Sequence, residues 1–182
     1  MPRTDLEVAK DFVHRWLALP KERRGRLGRQ IPLVAVQTAA LCDPDLAMRR
    51  FCLFLLDHYA SDASVETFRR ALRDPVASVR EGALHGLSCE RCRDEEICVS
   101  AVVTDLVDIL ATDPDAAVRH KTVGALARFA GRDSRAGAAV TRAAQHDPDP
   151  AIRGVAQAVV DGALQVSRRT ARGVRRAARA RR

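Results

Sequence analysis

Cys89, Cys92 and Cys98 form a Cys-x2-Cys-x5-Cys cluster, and His85 stands one helical turn before the first of them. Three thiolates and an imidazole make a tetrahedral ligand set that could hold a structural zinc ion. Such a site would be closed and would tie two neighbouring elements together. Two other readings suit the same residues: reduced, half-buried thiols, or a labile disulfide between Cys89 and Cys92. Only one paired-ligand knuckle is present, so the three readings stay open. Zinc is the one cofactor the residues suggest.

The second chemical feature is charge. Arg168, Arg169, Arg172, Arg175, Arg176, Arg179, Arg181 and Arg182 follow Ser167 with no acidic residue among them, and they equal the whole net charge of +8. The body is neutral, with 23 basic against 23 acidic residues, so the high pI says nothing about it. On a helix all these arginines except Arg181 would share roughly 140° of arc. The expectation is a tail that is disordered alone and orders against a polyanion such as nucleic acid, or else a solvated solubility tail. No aromatic residue interleaves the arginines, so contact with nucleic acid would run through phosphates and depend steeply on salt. A shorter run, Lys21, Arg23, Arg24, Arg26 and Arg29, is broken by Glu22 and Leu27 and reads as the solvated side of a helix.

Signatures of catalysis are missing. The chain has no His-Glu-x-x-His, Gly-x-Ser-x-Gly or Gly-x-x-x-x-Gly-Lys motif. Its N-terminus is charged at Arg3, Asp5, Glu7 and Lys10, and its longest apolar stretch, Ile31 to Cys42, is interrupted by Gln37 and Thr38. Crossing a bilayer takes about 20 apolar residues, so a cytoplasmic protein without a transmembrane segment is expected.

The elements that carry these residues follow from a repeat. Asp43-Pro44, Asp74-Pro75, Asp113-Pro114 and Asp147-Pro148 are each followed at fixed distance by an apolar residue and an arginine: Met48-Arg49, Val79-Arg80, Val118-Arg119 and Ile152-Arg153. The intervals of 31, 39 and 34 residues each fit two short helices and two turns. The longest interval contains the cysteine cluster. Asp accepts hydrogen bonds from helix-start amides and Pro tolerates the first turn, so each pair is expected to open a helix. Val79, Ala83 and Leu87 then share one face, as do Met48, Cys52 and Leu56, with a small residue always in the middle. Pro32, Asp62, Glu95-Glu96 and Asp133 mark the starts of the intervening helices. Phe12 and Trp16 share a face of a capping helix ahead of the first repeat.

Asp-Pro-x-x-x-Val-Arg-x-x-Ala-x-x-x-Leu, read at Asp74 to Leu87, resembles the HEAT repeat in its short bacterial, phycobilisome-lyase-like form. The resemblance covers roughly residues 31 to 166 and implies an all-α, right-handed α-solenoid of about four helical hairpins with an N-terminal helical cap. It divides the chain into a cap (1–30), a repeat solenoid (31–166) and the arginine tail (167–182). It also implies an Asp–Arg ladder between neighbouring repeats, which makes Arg49, Arg80, Arg119 and Arg153 structural. Of the enzymes built on such repeats, deoxyhypusine hydroxylases carry repeated His-Glu pairs, whereas His14, His58, His85, His120 and His146 here precede Arg, Tyr, Gly, Lys and Asp. Alkylpurine DNA glycosylases use a basic, aromatic-rich surface, and this body is neutral with a single Trp16 expected in core packing. The resulting expectation is a non-catalytic scaffold that binds a protein partner through exposed second-helix positions, Glu81, His85, His120, Lys121 and Arg128. The alternative is a sequence-nonspecific nucleic-acid-associated protein working through its tail, and a HEAT-like DNA-repair enzyme or lyase stands third.

Overall fold

The computed structural model describes residues 3–89 and 99–162, and all regular structure among them is helical. The chain divides into two compact units, Met1–Ile97 and Cys98–Arg182.

In the first unit, α1 (Asp5–Ala18) opens on a capping box. Thr4 Oγ1 accepts from the Glu7 N–H at 3.3 Å, and the Glu7 carboxylate accepts from the Thr4 N–H at 2.8 Å. Pro20 then turns the chain into α2 (Lys21–Gly28). Two hairpins follow, α3 (Leu33–Cys42) with α4 (Leu46–Tyr59), and α5 (Val65–Ala71) with α6 (Ala77–Ser88). They lie side by side, α3 against α5 and α4 against α6, while α1 covers the other side of α3. In the second unit α7 (Val99–Thr112) pairs with α8 (Ala116–Phe129), and α9 (Ser134–His146) with α10 (Pro150–Val160). Here too first helix meets first helix, α7 on α9, and second meets second, α8 on α10. The small middle residues Cys52, Ala83, Thr122 and Ala156 are all fully buried, where a larger side chain would hold the helices apart.

The Asp-Pro pairs do not open helices; they build the turn ahead of them. Each aspartate accepts a hydrogen bond from the backbone N–H two residues on: Asp43 from Asp45, Asp74 from Val76, Asp113 from Asp115 and Asp147 from Asp149, at 2.8–2.9 Å. A short carboxylate reaching its own backbone in this way competes with helix formation, so the helix starts later. The caps of α4, α8 and α10 are the second aspartates, Asp45, Asp115 and Asp149. Val76 holds that position before α6 and supplies no side-chain cap.

Each repeat arginine closes its own turn. Nη1 of Arg49, Arg80, Arg119 and Arg153 donates to the carbonyl of the aspartate six residues earlier, at 2.7–2.9 Å. For Arg49 and Arg119 the remaining donors reach the next hairpin. Arg49 Nε and Nη2 grip Asp74 at 2.9 and 3.3 Å, and Arg119 grips Asp147 at 3.0 and 3.1 Å. Two rungs of the expected ladder are therefore present, one inside each unit. Asp43 receives Lys10 of α1 at 3.4 Å, in the place an arginine from a preceding hairpin would take.

Arg119 and Asp147 are buried, so cutting either leaves the other charge in the interior. Arg119→Ala should cost about 3 kcal/mol in urea unfolding, far more than Arg135→Ala, which removes an exposed arginine. Burial alone would raise the Asp147 carboxyl, but hydrogen bonds from Arg119 and from the Asp149 N–H outweigh it and hold the pKa below the ordinary 3.8. A depressed acid contributes stability above its unfolded pKa and loses it as pH falls. Asp147→Asn should therefore flatten the acid limb below about pH 4 in a stability–pH profile. Glycines give an opposite pair of outcomes: a Cβ at Gly86 would stand 2.5–2.8 Å from the buried Phe68 ring, while at Gly124 it would meet nothing within 4 Å. Thermal unfolding should show Gly86→Ala destabilised by about 1–3 kcal/mol and Gly124→Ala stabilised by about 0.5–1 kcal/mol.

Candidate partner-binding surface

Helix α4 exposes Arg50, Phe54 and His58 at four-residue spacing, hence along one face, while Met48, Cys52, Leu55 and Leu56 enter the core. Phe54 is 40% exposed although apolar. Its ring lies 4.2 Å from the His58 ring and 6.0 Å from Trp16 between centroids. Trp16, buried near the end of α1, meets Phe51 and Tyr59 edge-on at 5.4 and 6.5 Å. The Arg24 guanidinium covers the Trp16 ring at 4.7 Å and is anchored by donating to the Leu19 and Leu17 carbonyls. Gly28 at the end of α2 faces the Tyr59 ring so closely that any Cβ there would collide with it. Arg24 and Gly28 thus dock α2 onto the aromatic cluster.

Beside this cluster the buried Asp57 carboxylate meets two exposed imidazoles. His85 Nε2 of α6 lies 3.4 Å from Asp57 Oδ2, and His58 Nδ1 lies 3.5 Å from the same oxygen. The Phe54 carbonyl accepts from His58 Nδ1 at 2.9 Å, which places that ring's proton on Nδ1 and turns Nε2 away from it. The ridge formed by Phe54, His58 and His85 therefore has a hydrogen-bonding side over a buried acid and an aromatic side over Trp16. It can offer an aromatic face, imidazole donors and acceptors, and the flanking Arg50 to a ligand.

Of the predicted metal ligands, His85 and Cys89 lie one turn apart at the end of α6, with His85 Nε2 turned toward Asp57. Cys92 and Cys98 lie outside the described residues, as do Arg168, Arg169, Arg172, Arg175, Arg176, Arg179 and Arg182 of the tail. Among the described residues no group of three or more His, Cys, Asp or Glu side chains is placed to hold a metal ion. Of the predicted partner-facing positions, His85, His120 and Lys121 are exposed, and Glu81 and Arg128 are half-buried. The second unit has a cleft of about 230 Å³ lined by Leu110, Ala139 and Ala143 with Arg142 and His146. Arg119 and Asp147 also line it, but their polar groups are committed to the rung.

Sequence reasoning missed Arg50 and Phe54, and it put Arg24 on a solvated helix side, whereas Arg24 covers Trp16. It placed Trp16 in the core without finding the surface built over it. A signal existed: Trp16, Phe51, Phe54 and Tyr59 are four of only seven aromatic residues, all within the first third of the chain. Among the described residues no helix is long and apolar enough to cross a membrane.

The described cysteines differ in reactivity. Burial, aided by the Asp43 charge, pushes the Cys52 thiol up to about 12, whereas Cys42 is exposed. Iodoacetamide at pH 8 should alkylate Cys42 in the folded protein and reach Cys52 only after denaturation, as mass mapping would show. Comparison with known proteins finds no matching family model, curated protein or solved structure.

Proposed function

We propose that this chain is a non-catalytic, HEAT-like helical-repeat scaffold that binds a protein partner through the exposed faces of its second helices. The observation that carries this reading is the ridge on α4 and α6, where Phe54, His58 and His85 stand exposed while the small and aliphatic residues of the same helices are buried. A helix that holds an aromatic side chain in solvent beside its own packed core keeps apolar surface available for association. The Arg–Asp rungs and the turns they close are then the frame, and the exposed second-helix positions are the reading surface. His120 and Lys121 on α8 belong to the corresponding surface of the second unit.

A photo-crosslinking amino acid at each of three exposed positions tests this. From His85 and His120 it should yield a discrete protein adduct in cells, and from Thr141 on the first-helix side it should yield none. Equal, diffuse labelling from all three positions would defeat the scaffold reading. The eight arginines after Ser167 favour a second reading, nucleic-acid association through the tail. Deleting residues 167–182 should then abolish DNA retention at low salt; unchanged retention excludes it.

A further inference from the structure

We infer that the aromatic face of the first unit docks an acidic peptide segment carrying a bulky apolar side chain. This rests on the scaffold reading and names the chemistry of its partner. The apolar component is Phe54, 40% exposed, with Leu17, 47% exposed, on the turn of α1 that carries Trp16. Trp16 forms the floor and is fixed from above by Arg24, so the face is preformed.

Helix α2 is strongly basic, with Glu22 its one acid. Lys21, Arg23, Arg26 and Arg29 are exposed on α2 and make no ion pair among the described residues, and α2, at eight residues, is only about 12 Å long. Arg50 stands one turn from Phe54 on α4 and is likewise unpaired among the described residues. The acids on the helices that build it are Asp5, Glu7 and Asp11 on α1, the last paired with Arg3 and Arg15, Glu22 on α2, Glu81 on α6, and Asp57, which is buried beneath the two imidazoles. Lys21 lies on the side of α2 whose Arg24 and Gly28 meet the cluster, and Arg50 lies one turn from Phe54; cations beside an apolar anchor are the complement of an acidic segment with an apolar side chain.

Nucleic acid fits the same charge but not the same rings. Base stacking requires an open aromatic face. Trp16 is 6% exposed, one side of Phe54 is occupied by His58, and the remaining exposed contact, Leu17, is aliphatic.

The full chain is titrated with a synthetic 15-residue peptide of Asp and Glu containing a central Phe and Leu, and with the same peptide carrying Ser at both apolar positions. Trp16 is the only tryptophan, so its emission reports binding at this face. The apolar peptide should bind about tenfold or more tighter than its Ser version, and it alone should change Trp16 emission. Phe54→Ala should erase that difference, and the pair Lys21→Glu and Arg50→Glu should weaken binding with Phe54 intact, which covers any loss of folding in the alanine variant. Equal binding of both peptides, indifferent to Phe54, would mean bare charge attraction and overturn the proposal. So would no binding, or an oligothymidylate of equal charge altering Trp16 emission where the peptide does not. If discrete crosslinks from His85 and His120 persist while the peptide fails, the scaffold stands and its partner has another chemistry; loss of both removes the scaffold as well.

Discussion

In each unit one guanidinium, Arg49 or Arg119, does two jobs on which the packing depends. Its Nη1 closes the Asp-Pro turn from which its own helix springs, and its Nε and Nη2 hold the aspartate of the adjacent hairpin. A lysine could not do both, because an ammonium lacks the planar fork that addresses a carbonyl and a carboxylate in fixed directions. The aspartate is equally divided, bonding its own turn through one oxygen while both oxygens meet the arginine. Turn geometry and hairpin spacing are thus set by the same few atoms. The helices between them supply small residues where they approach and large aliphatic ones, such as Leu56, Leu87 and Leu126, to the core around them.

The repeat was legible because this joint requires fixed residue types at fixed spacing. Asp, Pro and Arg recur for geometric reasons, and the 3.6-residue periodicity between them marks the buried face. The role of Asp-Pro inside the joint was not legible. A carboxylate before a helix reads as a cap, and only the backbone shows that the second aspartate caps while the first shapes the turn. Val76 follows the same path without a capping side chain, so the turn, rather than the cap, is the common requirement.

The candidate surface was less legible because it is not periodic. Phe54 occupies the position that His85 holds in the next hairpin, and a sequence pattern records that difference as noise. Its meaning comes from Trp16 and Arg24, which lie far away in the chain and reach α4 only through the packing of α1 and α2. The basic run on α2 looked like a solvated helix side for the same reason: nothing local says that Gly28 rests on Tyr59 or that Arg24 covers an indole.

Lys10 opposite Asp43 has a consequence for how such a chain can grow. A hairpin carries an acidic acceptor at its turn and a basic donor for the next turn, like a coupling with one plug and one socket. A copied hairpin would arrive with matched connectors at both ends and would need no compensating change in its neighbours. Where no hairpin precedes, an unrelated helix supplies a flexible ammonium, enough to neutralise the open socket but lacking the fork that would propagate it. Length in this architecture is therefore an inheritable variable largely independent of the candidate surface.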